Sequence, residues 1–222
     1  DGLIRYESAG ALRGGKTVWL LARMPSVDTI AEGDDTLRYV LFSTSHDGTA
    51  AIHAVPTSVR VVCANTLRIA TAKDVGFRHT GDVKAKMEFA RQYISQFDEK
   101  FTLFRDSARI LATRQFSSDQ AKDYINALFP EVTEAGRAKS IRERKVESVR
   151  SAYRADRQQM ASIRGSWWAL FNSVTESIDH DSRGTRGRDN RIRSENKMAS
   201  VLDGQGAEFK AKAFDLALSM SN

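Results

Sequence analysis

The apolar residues of this chain change their repeat partway along it, and that change restricts the possible folds more than any other feature. Up to about Asp82 they come in short runs with strand-like spacing; from Val83 they recur at three- and four-residue steps. A period of two belongs to a pleated strand and a period of 3.6 to a helix. The chain is therefore expected to be α+β. A small antiparallel β-meander in the N-terminal third packs on a long helix, and a mostly helical C-terminal half follows.

In the first part, GGKTVWLLARMPS (Gly14 to Ser26) reads as a glycine turn and a strand stopped by proline. Thr36 to Thr44 alternates, Asp47-Gly48 turns the chain tightly into a strand over Ala50 to Val55, and Ser58 to Val62 makes a further strand. Asn65 offers an N-cap for a short helix to Ala72, and Gly76 to Asp82 is a loop or a brief edge strand.

Met87, Phe89, Tyr93, Phe97, Phe101, Phe104, Ala108 and Leu111 then describe one long amphipathic helix. Ser117 to Pro130 restarts a helix behind a Ser/Asp cap and stops at proline. A polar helix is expected over Thr133 to Ile163, an apolar one over Ser166 to His180, and a last one over Ala207 to Met220. The organisation is thus a β-rich part of the core (1–82), a long and a short helix completing it (83–130), and a basic helical region (131–222) with an arginine-rich loop at 181–197.

Charge separates the two halves. Residues 1–82 hold nine Lys/Arg and nine Asp/Glu, so the whole net charge of +6 lies beyond them. Such asymmetry points to a polyanionic partner. Two segments carry it. Arg183, Arg186, Arg188, Arg191 and Arg193 fall within eleven residues, interleaved with glycine, serine and threonine, and Lys197 follows. Guanidinium forks pair bidentately with phosphate, and their mutual repulsion disfavours a compact loop without an anion. The plain alternative is a hydrophilic connector. Arg142, Arg144, Lys145, Arg150, Arg154 and Arg157 lie on the polar helix; they point to phosphate contacts, or to a solvated helix with internal Glu–Arg pairs.

The adjacent rings of Trp167 and Trp168 stand about 100° apart on a helix and can hardly share one core. Trp168 is a candidate platform for stacking bases, the plainer alternative being one ring in the core and the other half-covered. Glu176, Asp179 and His180 form a weak metal-ligand set, since the consecutive groups Asp179 to Asp181 cannot converge without breaking the helix. No phosphate-binding loop, nucleophile elbow or dinucleotide fingerprint occurs, and no cofactor is expected. Cys63 is the only cysteine, which excludes an internal disulfide and fits a cytoplasmic setting. No apolar run approaches the roughly 20 residues needed to span a bilayer. The chain opens on Asp1 in place of Met, so further residues are expected upstream, and nothing at its start resembles a charged and then apolar leader.

PTSVRVVCANTLRIA (Pro56 to Ala70), FRHTGDV (Phe77 to Val83) and SWWALFNSVTESIDH (Ser166 to His180) together resemble an uncharacterised family of phage- and plasmid-borne proteins. The β-meander followed by a long helix is similar, at the level of fold, to phage single-strand annealing recombinases of the Red-beta kind. That resemblance implies an oligomer laying single-stranded DNA in a basic groove, without catalytic residues to transfer. The expected function is sequence-independent single-stranded DNA binding and annealing in recombination by a protein of a mobile element, as a cytoplasmic homo-oligomer without a membrane. A metal-dependent nuclease using Glu176, Asp179 and His180, and a host-directed interaction protein without DNA affinity, are the alternatives.

Overall fold

The computed structural model describes residues 5–47, 52–62, 66–68, 76–77, 95–180 and 204–222. Six strands form one antiparallel sheet: β1 (Arg5–Leu12), β2 (Thr17–Ala31), β3 (Asp34–Ser45), β4 (Ile52–Arg60), β5 (Thr66–Arg68) and β6 (Gly76–Phe77). The spatial order is β1-β2-β3-β4-β5, with β6 also on β4. Strands β2 and β3 are joined through Glu32 and Gly33, where φ is +73° at the glycine, a value that costs a residue with a Cβ.

The sheet departs from the sequence reading in four places. Strand β1 carries no strand signal in the sequence: six of its eight residues are exposed and no apolar stripe marks it. Proline does not stop β2: Pro25 lies in a register shift between Arg23 and Val27, where the ladder does not need its missing N–H. The two runs Ala50 to Val55 and Ser58 to Val62 are one strand, β4. Pro56 stands opposite Val40, and on the other edge β6 ends its pairing at His53 while β5 begins at Thr57, so proline falls at the gap. Thr66–Arg68, expected as the start of a helix, instead pairs with Thr57–Val59; sheet extension overrides the Asn cap signal there. Of the two forms expected for Gly76 to Asp82, a loop or a brief edge strand, Gly76–Phe77 takes the strand, and the rest lies outside the described residues.

Five helices follow among the described residues: α1 (Phe97–Thr113), α2 (Ser118–Leu128), α3 (Arg137–Tyr153), α4 (Trp167–Asp179) and α5 (Gln205–Met220). The expected helix from Val83 corresponds at its C-terminal end to α1, and its part before residue 95 lies outside the described residues. Helix α2 starts on a capping box: the Ser117 hydroxyl accepts from the Gln120 backbone at 3.2 Å, and the Gln120 side chain accepts from the Ser117 backbone at 2.8 Å. The single helix expected over Thr133 to Ile163 is shorter. It ends at Tyr153, Ala155 turns extended, and a 3-10 turn over Asp156–Gln158 brings Gln158 onto the sheet.

Helix α4 is the centre of the molecule, packed against α1, α3 and α5. Eleven of its thirteen residues are buried. A helix apolar on one face only would leave the other wet; here Asn172, Ser173 and Thr175 are buried too, satisfied by bonds to carbonyls of the same helix. Ile30, Val40 and Ala54 from the sheet share one buried cluster with all five helices. Among the described residues no helix is long and apolar enough to cross a membrane.

Candidate nucleic-acid interface

Helix α3 lacks internal glycine and proline and is rich in Arg, Lys, Glu and Ala, which are strong helix formers. Only Val146, Val149 and Ala152 are buried, a narrow stripe against α4 that leaves most of the helix to solvent. That surface carries six Lys/Arg against two Glu. Arg137, Lys139, Arg144 and Lys145 are all exposed and form no ion pair among the described residues. At about 100° per residue, Arg137 and Arg144 project nearly along one line, roughly 10 Å apart, with Lys145 about 90° to one side and Lys139 about 150° round the other way.

The other expected contacts on this helix have different employment. Arg142 reaches back to the end of α2, its Nε donating to the carbonyls of Phe129 and Pro130 at 3.0 and 3.1 Å and its Nη2 to Asn126 Oδ1 at 2.7 Å. It closes the helix terminus that proline would leave bare. Arg150 and Arg154 stand near Glu147 at 3.7 and 3.5 Å; all three are exposed, so these pairs are weak and exchangeable. Arg157 is not on the helix. Its guanidinium grips Glu176 with two nitrogens, Nε at 2.7 Å, so it is a structural cation and not an extension of the basic face.

Trp168 is corrected as well. Both tryptophans enter the core, each about 1% exposed, because α4 is enclosed on all sides. Trp167 packs edge-on to Tyr124 and Phe116 with centroids 5.6 and 6.0 Å away, and Trp168 lies 5.6 Å from Phe171 and 6.2 Å from Phe104. A ring so placed has no face open for a base. Arg183, Arg186, Arg188, Arg191, Arg193 and Lys197 lie outside the described residues.

The acids that resembled a metal set are matched by side chains of the same chain. Glu176 accepts from Arg157 and from Gln158 Nε2 at 3.1 Å, while Asp179 accepts from Lys210 Nζ of α5 at 2.6 Å; His180 is exposed. Among the described residues no group of three His, Cys, Asp or Glu is placed to hold a metal. Lys210 has no exposed surface, and its burial lowers the pKa from the usual 10.5 despite the opposing pull of Asp179.

Sequence reasoning missed the buried cationic network behind these contacts. Arg60 forks onto Asp34 at 2.6 and 2.7 Å and donates to Gln158 Oε1 at 2.9 Å, which links it through Gln158 to Glu176. Arg38 forks onto Asp28 at 2.7 and 2.6 Å, reaches Asp98 at the start of α1 at 3.1 Å, and sits over the Phe101 ring at 5.2 Å. The partners of each arginine are up to 98 positions away in the chain, beyond any periodic signal. A further feature is a groove of about 500 Å³ between α2 and α3, floored by Leu170 of α4 and edged by Lys122, Arg142, Arg150 and Arg154.

A family model described as Domain of unknown function (DUF932) matches residues 1–202. It agrees with the resemblance to an uncharacterised family and does not extend to annealing recombinases. No curated protein and no solved structure matches the chain.

Proposed function

The chain belongs to the DUF932 family, and we propose that within it this protein binds single-stranded DNA without reading sequence and helps complementary strands to anneal, as a factor of a phage or plasmid acting in the host cytoplasm. The observation that carries this reading is the contrast between two sets of cations. The buried arginines Arg38 and Arg60 are each clasped by an aspartate of the sheet, whereas Arg137, Lys139, Arg144 and Lys145 project from α3 without ion pairs among the described residues. Cations of the first kind hold a fold together. Those of the second kind are available to an anion.

Phosphate contacts fix a strand without specifying its bases, so affinity would be sequence-tolerant. Neutralising the phosphates of two strands also weakens their mutual repulsion, which is what annealing requires of a non-enzymatic factor. The arginines between Arg183 and Arg193 add five further donors to the same half of the chain.

Anisotropy of a labelled oligonucleotide, titrated at a series of salt concentrations, tests the reading. Each phosphate contact to a single strand contributes about 0.7 to the slope of log affinity against log salt. A steep decline is expected, together with faster pairing of complementary strands. Flat affinity across the salt series would remove the electrostatic mechanism. Cleavage of the oligonucleotide with magnesium or manganese that disappears in His180→Ala would instead identify a nuclease.

A further inference from the structure

Helix α1 turns its buried residues Phe97, Phe101, Phe104, Ala108 and Leu111 to the core, and its opposite face is unusual for solvent. Leu103 and Ile110 are 62% and 45% exposed there. With Glu99 and Asp106 they follow the spacing i, i+4, i+7, i+11, which places all four within an arc of about 60°. The result is an uncovered aliphatic stripe with acids along it, roughly 16 Å long at 1.5 Å per residue; Asp106 accepts from Arg105 Nε of the same helix at 2.9 Å, a partly exposed pair that a partner's arginine can replace.

The groove between α2 and α3 has the converse chemistry. Ile125, Val146, Val149 and Leu170, with Phe116 and Tyr153, give it an apolar floor, and Lys122, Arg150 and Arg154 outnumber Glu131 along its edge. From Arg142 to Arg154 it runs about 18 Å along α3, which matches the stripe. An amphipathic helix laid into an apolar groove is a recurring mode of protein recognition. The arginine-rich segment from Arg183 to Arg193 has the same sign as the rim and is repelled by it.

We infer that the occupant of the groove is a second copy of this chain, which inserts the Glu99–Leu103–Asp106–Ile110 face of its α1 between α2 and α3 of its neighbour. Stripe and groove lie on different elements of one molecule, so a joint made once between two copies is head-to-tail and leaves a free stripe and a free groove to repeat it. Such contacts close into a ring or extend as a filament. The joint leaves Arg137 and Arg144 uncovered on each copy, since they project away from the groove side of α3. This inference concerns assembly alone and stands without any DNA.

Sedimentation velocity on the full chain without nucleic acid decides it. Wild-type protein is expected to associate progressively with concentration. Leu103→Gln with Ile110→Gln alters only the stripe, and Arg150→Glu with Arg154→Glu alters only the rim; all four positions are exposed, so circular dichroism should stay as in wild type. Each variant alone should sediment as a monomer, while an equimolar mixture should form a dimer that grows no further, because one sound joint remains. Adding Glu99→Lys and Asp106→Lys to the rim variant should restore association in a single chain. A wild type that stays monomeric, variants that assemble like wild type, or a mixture that does not dimerise would each overturn the inference. So would a rim variant that sediments like wild type but loses oligonucleotide binding, which would assign the groove to DNA.

Discussion

The indole Nε1 of Trp168 donates to Asp34 Oδ2 at 2.8 Å, and the same oxygen receives Arg60 Nη2 at 2.7 Å. One fully buried carboxylate at the start of β3 thus keys the central helix to the sheet. Trp168→Phe removes one bond to a charged acceptor and leaves a void where the larger indole packs on Phe104 and Phe171, so it should lower stability by at least about 1.5–3 kcal/mol. Asp34→Ala strands the Arg60 guanidinium and should cost about 3–5 kcal/mol. Urea unfolding followed by far-ultraviolet dichroism measures both, and equal losses would show that the indole bond and the Arg60 pair do not differ as described.

Lys210 and Asp179 couple α5 to α4 without exposed surface on the ammonium side. Lys210→Met leaves a buried carboxylate unpaired and should be strongly destabilising, by about 3–5 kcal/mol, whereas adding Asp179→Leu should recover most of the loss. A pH dependence follows. Burial holds the lysine below 10.5 in the fold, so between that lowered value and 10.5 the unfolded chain keeps a proton that the folded chain has released. Stability from this group therefore rises with pH through that window and levels off above it. Subtracting the Lys210→Met/Asp179→Leu curve from wild type should isolate the rise.

Tyr39 acts with the opposite sign. Burial, and then its 2.6 Å bond to Glu7 Oε2, raise the phenol from 10.0 to about 12. Above pH 10 the unfolded chain loses a proton that the fold keeps, so stability falls as pH climbs toward 12. Tyr39→Phe should flatten that decline in thermal melts recorded across the alkaline range.

Gly165 precedes the Ser166 cap of α4 with φ at +77°, and a Cβ there would lie 2.3 Å from Gln115 Oε1. Gly165→Ala should destabilise by at least about 1–2 kcal/mol through its left-handed backbone alone. Gly165→Ala with Gln115→Ala should regain only the part due to the clash. A full recovery in chemical denaturation would mean the backbone carries no strain.

Arg137→Ala with Arg144→Ala removes two exposed cations that pack on nothing identified. The salt slope of oligonucleotide binding should fall by about 1.4, two contacts at 0.7 each. The melting temperature should be unchanged within error. An unchanged slope would take this face of α3 out of the contact.

Much of the architecture was legible because it rests on local chemistry. The α2 boundaries follow from Ser117, Gln120 and Pro130, and α4 from Ser166 and its aromatic run. What was not legible depends on partners distant in sequence. Nothing near Pro56 reveals that its position falls between two short edge strands, so one strand read as two. Nothing near Trp168 announces Asp34, 134 positions away, which turns a presumed exposed ring into a keystone of the core. Arg157 looked equal to Arg154 in the sequence, yet the break after Tyr153 assigns it to Glu176. The arginine-rich segment, the strongest signal in composition, lies outside the described residues.

The clasped arginines have a practical corollary. Mobile ions reach exposed charges and barely affect desolvated ones, with a screening length of about 3 Å at 1 M salt. Arg38 with Asp28 and Arg60 with Asp34 are shielded within the sheet, while the α3 cations face the bath. Brine strong enough to strip a bound polyanion from this protein should leave its tertiary structure standing, so elution and denaturation become separable operations at the bench.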